Sequence, residues 1–151
     1  MKYSSKLLLA AGVLVVLGGC SRKPTLFPGA PFPQMTALTC ELRSVHAGAL
    51  NPTYERGKAE DKLTLTLTNL NTQEGKAQLI GNAGTSSVIF TKSRDQMRFL
   101  EETPTGNLTL LNVFAPPEPN KPLPAVHSRH ILISPGNIAI SQYAGSCTPK
   151  F

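Results

Sequence analysis

Apolar and polar residues alternate with a period of two along most of the chain after Met35. The clearest case is the segment 62–70, in which Leu63, Leu65 and Leu67 alternate with threonines. Because successive side chains of a strand point to opposite faces, this alternation predicts strands with one buried face. Further strands are predicted at 38–43, 76–80, 87–91, 96–101, 107–115, 129–133 and 138–146.

Turn-forming residues separate these segments at intervals of about 8–12 residues, a spacing typical of antiparallel all-β folds. Ser134-Pro135-Gly136-Asn137 predicts a hairpin between the last two strands, and Gly81-Asn82-Ala83-Gly84 predicts a turn with positive φ angles. The segment 46–60 contains glycines, an Asn-Pro pair and several charges, and is predicted to be a long loop. We therefore expect an all-β domain, a small antiparallel β-barrel or sandwich of about seven or eight strands.

Two proline-rich segments interrupt this pattern. Residues 21–34 carry four prolines, each of which fixes φ and removes a backbone donor, so the segment is predicted to be a semi-extended tether. Residues 115–125 carry five prolines and are predicted to be a protruding loop, because proline cannot donate to the interior of a sheet. The expected organisation is a single β domain over 35–151 that includes this loop.

The amino-terminal end has a different character. Lys2 and Lys6 precede an apolar run at 7–17, about eleven residues long, whereas a membrane-spanning helix needs about 20. A basic start followed by a short apolar run is typical of a signal peptide, here predicted over 1–19. An ordinary secretory signal and a buried apolar helix are the alternatives.

The residues Leu17-Gly18-Gly19-Cys20, which close this run, resemble the lipobox of bacterial lipoproteins. The resemblance implies that the preceding peptide is removed and that Cys20 is acylated, which anchors the chain to a lipid bilayer through residues 20–34. Ser21 in place of an aspartate implies an outer-membrane location facing the periplasm.

If Cys20 carries lipid, Cys40 and Cys147 remain as an even pair. In an oxidising envelope compartment such a pair predicts a disulfide. Cys40 lies in the first predicted strand and Cys147 lies in or just after the last one, so the bridge is expected to join strands whose edges would otherwise be exposed. The alternative, a pair of metal-binding or redox-active thiols, lacks a Cys-x-x-Cys spacing.

The composition mainly argues against certain classes of ligand. The formal charge is +6, and about +4 once Lys2 and Lys6 leave with the signal, without a basic cluster that predicts nucleic-acid binding. The mild excess of positive charge is compatible with anionic lipid or cell-wall polymers as neighbours. Aromatic residues make up 6% of the chain and tryptophan is absent, which leaves few platforms for stacking bases or sugars.

Candidate chemistry is concentrated at Val126-His127-Ser128-Arg129-His130. His127, Arg129 and His130 form a candidate polar site, but residues three apart on a strand face opposite sides, so His127 and His130 are not expected to share a metal. The adjacent Glu101 and Glu102 diverge for the same reason, and no Gly-x-Ser-x-Gly motif accompanies Ser128. We expect no catalytic residue, no metal and no cofactor.

The sequence therefore predicts a membrane-anchored envelope lipoprotein that is not an enzyme but a structural or protein-binding module with an envelope protein partner. Its outline, a lipobox tether and a small β domain with cysteines near both ends, is similar to the membrane-bound inhibitors of C-type lysozymes. That similarity implies the alternative of a periplasmic inhibitor or small-ligand binder, but no residue of the inhibitory segment matches here. A hydrolase that uses His127 or His130 is a third hypothesis.

The closing residues Ser-Gln-Tyr-Ala-Gly-Ser-Cys at 141–147 also resemble the ends of small bacterial lipoproteins.

Whether the interior of the predicted barrel is filled or hollow distinguishes the functional hypotheses. A filled core favours binding of a partner on the surface, whereas a polar-lined cavity with a histidine inside favours a ligand.

Overall fold

The computed structural model describes residues 30–51, 53–57, 61–82, 84–103 and 105–151. No helix in this part of the chain is long and apolar enough to cross a bilayer. The expected signal peptide and Cys20 lie outside the described residues. The strands are β1 (Ala37–Asn51), β2 (Thr53–Arg56), β3 (Lys62–Asn71), β4 (Lys76–Gly81), β5 (Gly84–Lys92), β6 (Gln96–Glu102), β7 (Leu108–Phe114), β8 (Leu123–Ser134) and β9 (Asn137–Lys150).

Eight of these strands form a closed antiparallel barrel. From β3 to β9 each strand pairs with the next, β3 also pairs with β1, and β1 pairs with β9 to close the sheet. The short β2 pairs with the far half of β1, outside the ring of eight strands. The all-β prediction is confirmed, and the sheet forms a barrel and not a sandwich.

The predicted disulfide is confirmed as the bond between Cys40 and Cys147. The two residues are direct partners in the β1–β9 ladder, their Cα atoms are 3.9 Å apart, and both side chains are fully buried. The bridge thus joins the first and last strands of the barrel at the ladder that closes it.

The interior is filled by side chains from alternate positions of every strand of the barrel. Within this core, Phe90 and Phe99 stack with their ring centroids 4.8 Å apart. Leucines, valines and Met97 surround them, so burial of apolar surface, at about 25 cal/mol per Å², is the main favourable term for this fold. The core residues are Leu38, Cys40, Leu42, Leu63, Leu65, Leu67, Ala77, Leu79, Val88, Phe90, Met97, Phe99, Leu111, Val113, Leu123, Ala125, Tyr143 and Cys147.

The prediction of a long loop over 46–60 is wrong. β1 continues to Asn51 after a bulge between Ser44 and His46, and β2 follows at once. In this half, β1 pairs with β9 on one side and with β2 on the other. The β9 pairing is distant in sequence, so local turn propensity gave no sign of it.

The proline-rich loop is shorter than the predicted 115–125, because β8 begins at Leu123. Pro124 pairs with Ser146 of β9 just outside the β7–β8 ladder, which begins at Ala125, so it sits where one side of the strand is unpaired. β8 therefore starts six residues before the predicted 129 and β9 extends past 146 to Lys150.

The described part of the tether lies against the barrel. The backbone N–H of Ala30 donates to the carbonyl of Pro116 at 3.0 Å, which ties the tether to the proline-rich loop. Phe32 and Met35 pack against the core, and the Lys92 ammonium lies 5.7 Å from the centroid of the Phe32 ring. The chain therefore enters the barrel at the end formed by Ala37, Lys92 and Lys150.

Replacement of both Cys40 and Cys147 with alanine is expected to lower the free energy of unfolding by about 2–4 kcal/mol, because the bridge closes a long loop in the unfolded chain. The two cysteines are 107 residues apart in sequence. Urea unfolding of the purified full chain measures the change. Dithiothreitol should lower the wild-type midpoint and leave the double variant unchanged, and a wild type that dithiothreitol does not affect would contradict the prediction.

Replacement of Gly145 with alanine is expected to cost about 1–3 kcal/mol of stability, the usual range for overpacking. A Cβ atom at this position would collide with the backbone carbonyl of Glu41 on the neighbouring strand. Gly57→Ala is the matched control, since its Cβ would lie 3.5 Å from the nearest atom, an ordinary contact. Equal urea midpoints for the two variants would be incompatible with this account.

Candidate ligand-binding site at the barrel mouth

At the end of the barrel opposite the tether, the inward-facing positions change from apolar to polar. Glu101 of β6 pairs with Thr109 of β7, Thr109 pairs with Arg129 of β8, and Arg129 pairs with Ser141 of β9. We call these four residues the mouth layer. The layer beneath it contains Phe99, Leu111, His127 and Tyr143, which are paired in the same way.

Strand periodicity places the charged residues of the mouth layer inside the barrel. Glu101 follows the buried Met97 and Phe99 at intervals of two, and Arg129 follows the buried Ala125 and His127. Alternate residues of a strand share one face, so both charges point towards the barrel axis.

The mouth layer borders a cavity of about 410 Å³, which we call the cup. The apolar part of its wall is formed by leucines of β3 and β4 and by Ile131 of β8. The rest of the wall carries hydroxyl, amide and charged groups. The lining residues are Leu63, Leu65, Leu79, Gly81, Asn82, Gly84, Thr85, Ser86, Glu101, Thr103, Thr105, Asn107, Thr109, His127, Arg129 and Ile131.

Two hydroxyl groups hold the Glu101 carboxylate in place. The Ser86 hydroxyl donates to Oε1 at 2.5 Å, and the Thr109 hydroxyl donates to Oε2 at 3.0 Å. Thr109 is itself buried. Because both hydroxyl protons are directed at oxygen atoms of Glu101, the carboxylate is an oriented acceptor within the wall of the cup.

His127 is the most buried polar side chain at the mouth, with 3% of its surface exposed. Its Nδ1 atom is buried and has no hydrogen-bond partner among the described residues. The ring lies edge-on to Tyr143, with a centroid distance of 6.0 Å. A buried polar atom without a partner costs about 1–3 kcal/mol, so this nitrogen lowers the stability of the fold locally.

Burial lowers the pKa of His127 from 6.5 to about 4, because the charged imidazolium loses its hydration. The positive charge of Arg129 lowers the pKa further, and the negative charge of Glu101 partly opposes this effect. His127 is therefore neutral at physiological pH, and one of its two ring nitrogens carries a proton while the other accepts.

Arg129 is half-buried, and its side chain makes no hydrogen bond or ion pair with any described residue. Glu101 lies in the same layer, but Thr109 separates them, and two strand spacings amount to roughly 10 Å between backbones. Arg129 and Ile131 also border a second cavity of about 440 Å³ beneath β1 and β2, whose rim includes the exposed Glu55. The guanidinium thus faces open space without a counterion.

The structure brings together two of the three residues of the predicted polar site. His127 and Arg129 point into the cup, whereas His130 is exposed on the outer face, where it pairs with Leu108 and Ile140. Cys40 and Cys147 lie in the core and take no part in the cup. Cys20 lies outside the described residues.

Glu101, Ser86 and Thr109 were not predicted as site residues from the sequence. The pattern that places Glu101 inside is present in the sequence, since the inward alternation of Met97 and Phe99 extends to it by one step. Its partnership with Ser86 and Thr109 depends on strand register, which a local pattern does not encode.

No group of three or more His, Cys, Asp or Glu side chains that could hold a metal ion occurs in the described ranges. A serine nucleophile is usually activated by a hydrogen bond to a histidine. The Ser86 hydroxyl instead donates to the Glu101 carboxylate. Neither a protein family, nor a curated protein, nor a solved structure matches this chain.

Because the pKa of His127 is lowered to about 4 in the folded state, unfolding is expected to become easier as the pH falls from 6.5 to 4. In this window the unfolded chain binds a proton that the folded chain does not, which removes on the order of 3 kcal/mol of stability before the effect levels off. Urea midpoints at pH 7 and pH 4 measure this loss.

The urea midpoint of His127→Gln should differ less between pH 7 and pH 4 than the midpoint of the wild type does. His130→Gln is the matched control, because its side chain is exposed. A His127→Gln variant with the full wild-type pH dependence would contradict the burial account.

Proposed function

We propose that this chain is a lipid-anchored binding module of the bacterial envelope, without enzymatic activity, that binds a small ligand in the cup. The observation that carries the proposal is the lining of the cup, an open cavity whose wall includes the buried His127, the unpaired Arg129 and the hydroxyl-bonded Glu101. A cavity with apolar walls and a few convergent polar groups is typical of a small-molecule site.

The dimensions of the cavity support a small ligand. Buried side chains from every strand of the barrel pack the core beneath the cup, which limits the depth to which a ligand can enter. The cup measures about 410 Å³, which falls within the range of about 300–1,000 Å³ that is common for small-molecule sites.

The position of the anchor supports a role in the envelope. The lipobox residues Leu17 to Cys20 favour acylation of Cys20, and the Cys40–Cys147 disulfide fits an oxidising compartment. Residues 30–36 approach the barrel at the end opposite the cup. With the anchor at Cys20, the cup would face away from the membrane, into the periplasm if the membrane is the outer one.

A second candidate function is the docking of an envelope protein. Its specific support is a groove of about 420 Å³ between the tether and the proline-rich loop, lined mainly by prolines that hold their shape without hydrogen bonds. The lining residues include Pro31, Pro33, Pro116, Pro119 and Pro122. A lysozyme is one such partner, as the outline similarity suggested, and an assay of lysozyme rates with the full chain tests it.

Cys20→Ser is expected to abolish incorporation of radiolabelled palmitate and to release the protein from the membrane fraction. The reason is that acyl chains supply the membrane affinity, about 0.8 kcal/mol for each buried CH₂ group. Ser21→Ala is the matched control and should be labelled as the wild type is. Equal labelling of wild type and Cys20→Ser would overturn the lipoprotein assignment.

Small probes of matched length are expected to bind in the cup. In the full chain held in lipid nanodiscs, hexanol, hexylamine and hexanoate are titrated while the methyl NMR signals of Leu63, Leu79 and Ile131 are followed. At least one probe should shift these signals saturably and leave the outward-facing, exposed Ile89 unchanged. If none of the three probes shifts the cup methyls, the small-ligand function is wrong.

A further inference from the structure

We propose that the cup selects molecules that carry a single carboxylate group, with Arg129 as the anion-binding residue and His127 as a second hydrogen-bond donor. This inference rests on the proposed function and names the ligand class of the same site. Its basis is the arrangement of an unpaired cation, a buried imidazole and a fixed carboxylate around one cavity.

Arg129 is the residue that favours binding of an anion. Its guanidinium has a planar set of N–H donors and cannot lose its charge, yet no described residue accepts from it. Half-burial weakens its hydration, which strengthens attraction to an incoming negative charge. A carboxylate matches the guanidinium geometry because its two oxygens can accept two parallel hydrogen bonds.

His127 lies two residues before Arg129 on the same inward face of β8, about 7 Å away along the strand. A carboxylate bound between the two side chains has one oxygen for the guanidinium and lone pairs left for the imidazole. The Nδ1 atom is buried, whereas Nε2 is not among the buried atoms without a partner. In the tautomer with its proton on Nε2, neutral His127, which lines the cup, can donate to the bound carboxylate. One bound group thereby contacts both side chains.

Glu101 limits the ligand to one negative charge. Its carboxylate accepts from Ser86 and Thr109 in the same layer as Arg129. The negative charge of Glu101 and the positive charge of Arg129 therefore sum to zero before a ligand binds. A monoanion makes the site singly negative, whereas a dianion such as a phosphate monoester adds a second repulsion in a partly desolvated space. The exposed Glu55 at the rim of the neighbouring cavity acts in the same direction.

The apolar wall determines what accompanies the carboxylate. Leu63, Leu65, Leu79 and Ile131 line the cup beside the charged groups and offer no hydrogen bonds from their side chains. A short aliphatic chain would bury its surface against them, at about 25 cal/mol per Å². Hexanoate therefore serves as the probe, and hexanol and hexylamine serve as comparison compounds of equal chain length and different charge.

The test compares the dissociation constants of these probes for the full chain in nanodiscs, from the same methyl titrations and with empty nanodiscs subtracted. Hexanoate is expected to bind about tenfold or more tightly than hexanol, the effect of a charge-assisted hydrogen bond. Bound hexanoate should also raise the pKa of His127 from about 4, because a negative charge beside the ring favours its protonated form. Hexanol should leave that pKa unchanged.

Two variants assign the selectivity to named groups. Arg129→Gln should weaken hexanoate binding about tenfold or more and leave hexanol unchanged, whereas Arg43→Gln, on the exposed outer face of β1, should alter neither. Glu101→Gln keeps one acceptor oxygen for Ser86 or Thr109, and its amide N–H can donate to the other hydroxyl oxygen. Because the substitution removes the repulsion, it should tighten hexanoate binding several-fold.

The outcomes separate this inference from the proposed function. If hexanol or hexylamine binds as well as hexanoate, the carboxylate class is wrong although the cup still binds ligands. If Arg129→Gln binds hexanoate as the wild type does, the assignment of Arg129 is overturned. Should Arg129→Gln fail to fold, unchanged hexanoate affinity in Glu101→Gln would equally count against the charge arrangement.

Discussion

The ladder between β1 and β9 is the interaction on which the rest of the structure depends. It closes the sheet, so neither of these two strands is left as a free edge in the ring, and the Cys40–Cys147 bond holds it covalently. Closure also creates the functional geometry. Without it β8 and β9 would belong to an open sheet, and Arg129 would not face a walled cavity together with Glu101.

One periodicity produces both the core and the cup. Every second residue of β6 and β8 points inward, and the two strands continue past the last apolar layer to Glu101 and Arg129. The packed core below keeps the mouth rigid, which lets it maintain a buried imidazole with an unsatisfied nitrogen. Core packing contributes the stability that offsets this local cost of about 1–3 kcal/mol.

The two ends of the barrel differ in character. At one end, the hydrogen bond from Ala30 to Pro116 joins the tether to the proline-rich loop, and Phe32 packs against the core. At the other end, the cup is lined by hydroxyl, amide and charged groups. In a lipid-anchored protein this polarity would separate attachment from binding, because the tether and the ligand would approach from opposite directions.

Local patterns are sufficient to predict the strand-rich class, the final hairpin, the cysteine pair and the opposite facing of His127 and His130, because period-two alternation and turn residues are local properties. The folded chain was needed to show that the sheet closes into a barrel, that 46–51 continues β1, and that Glu101 accepts from Ser86 and Thr109. These features depend on register between strands distant in sequence, and no local pattern of side chains specifies which strands become neighbours.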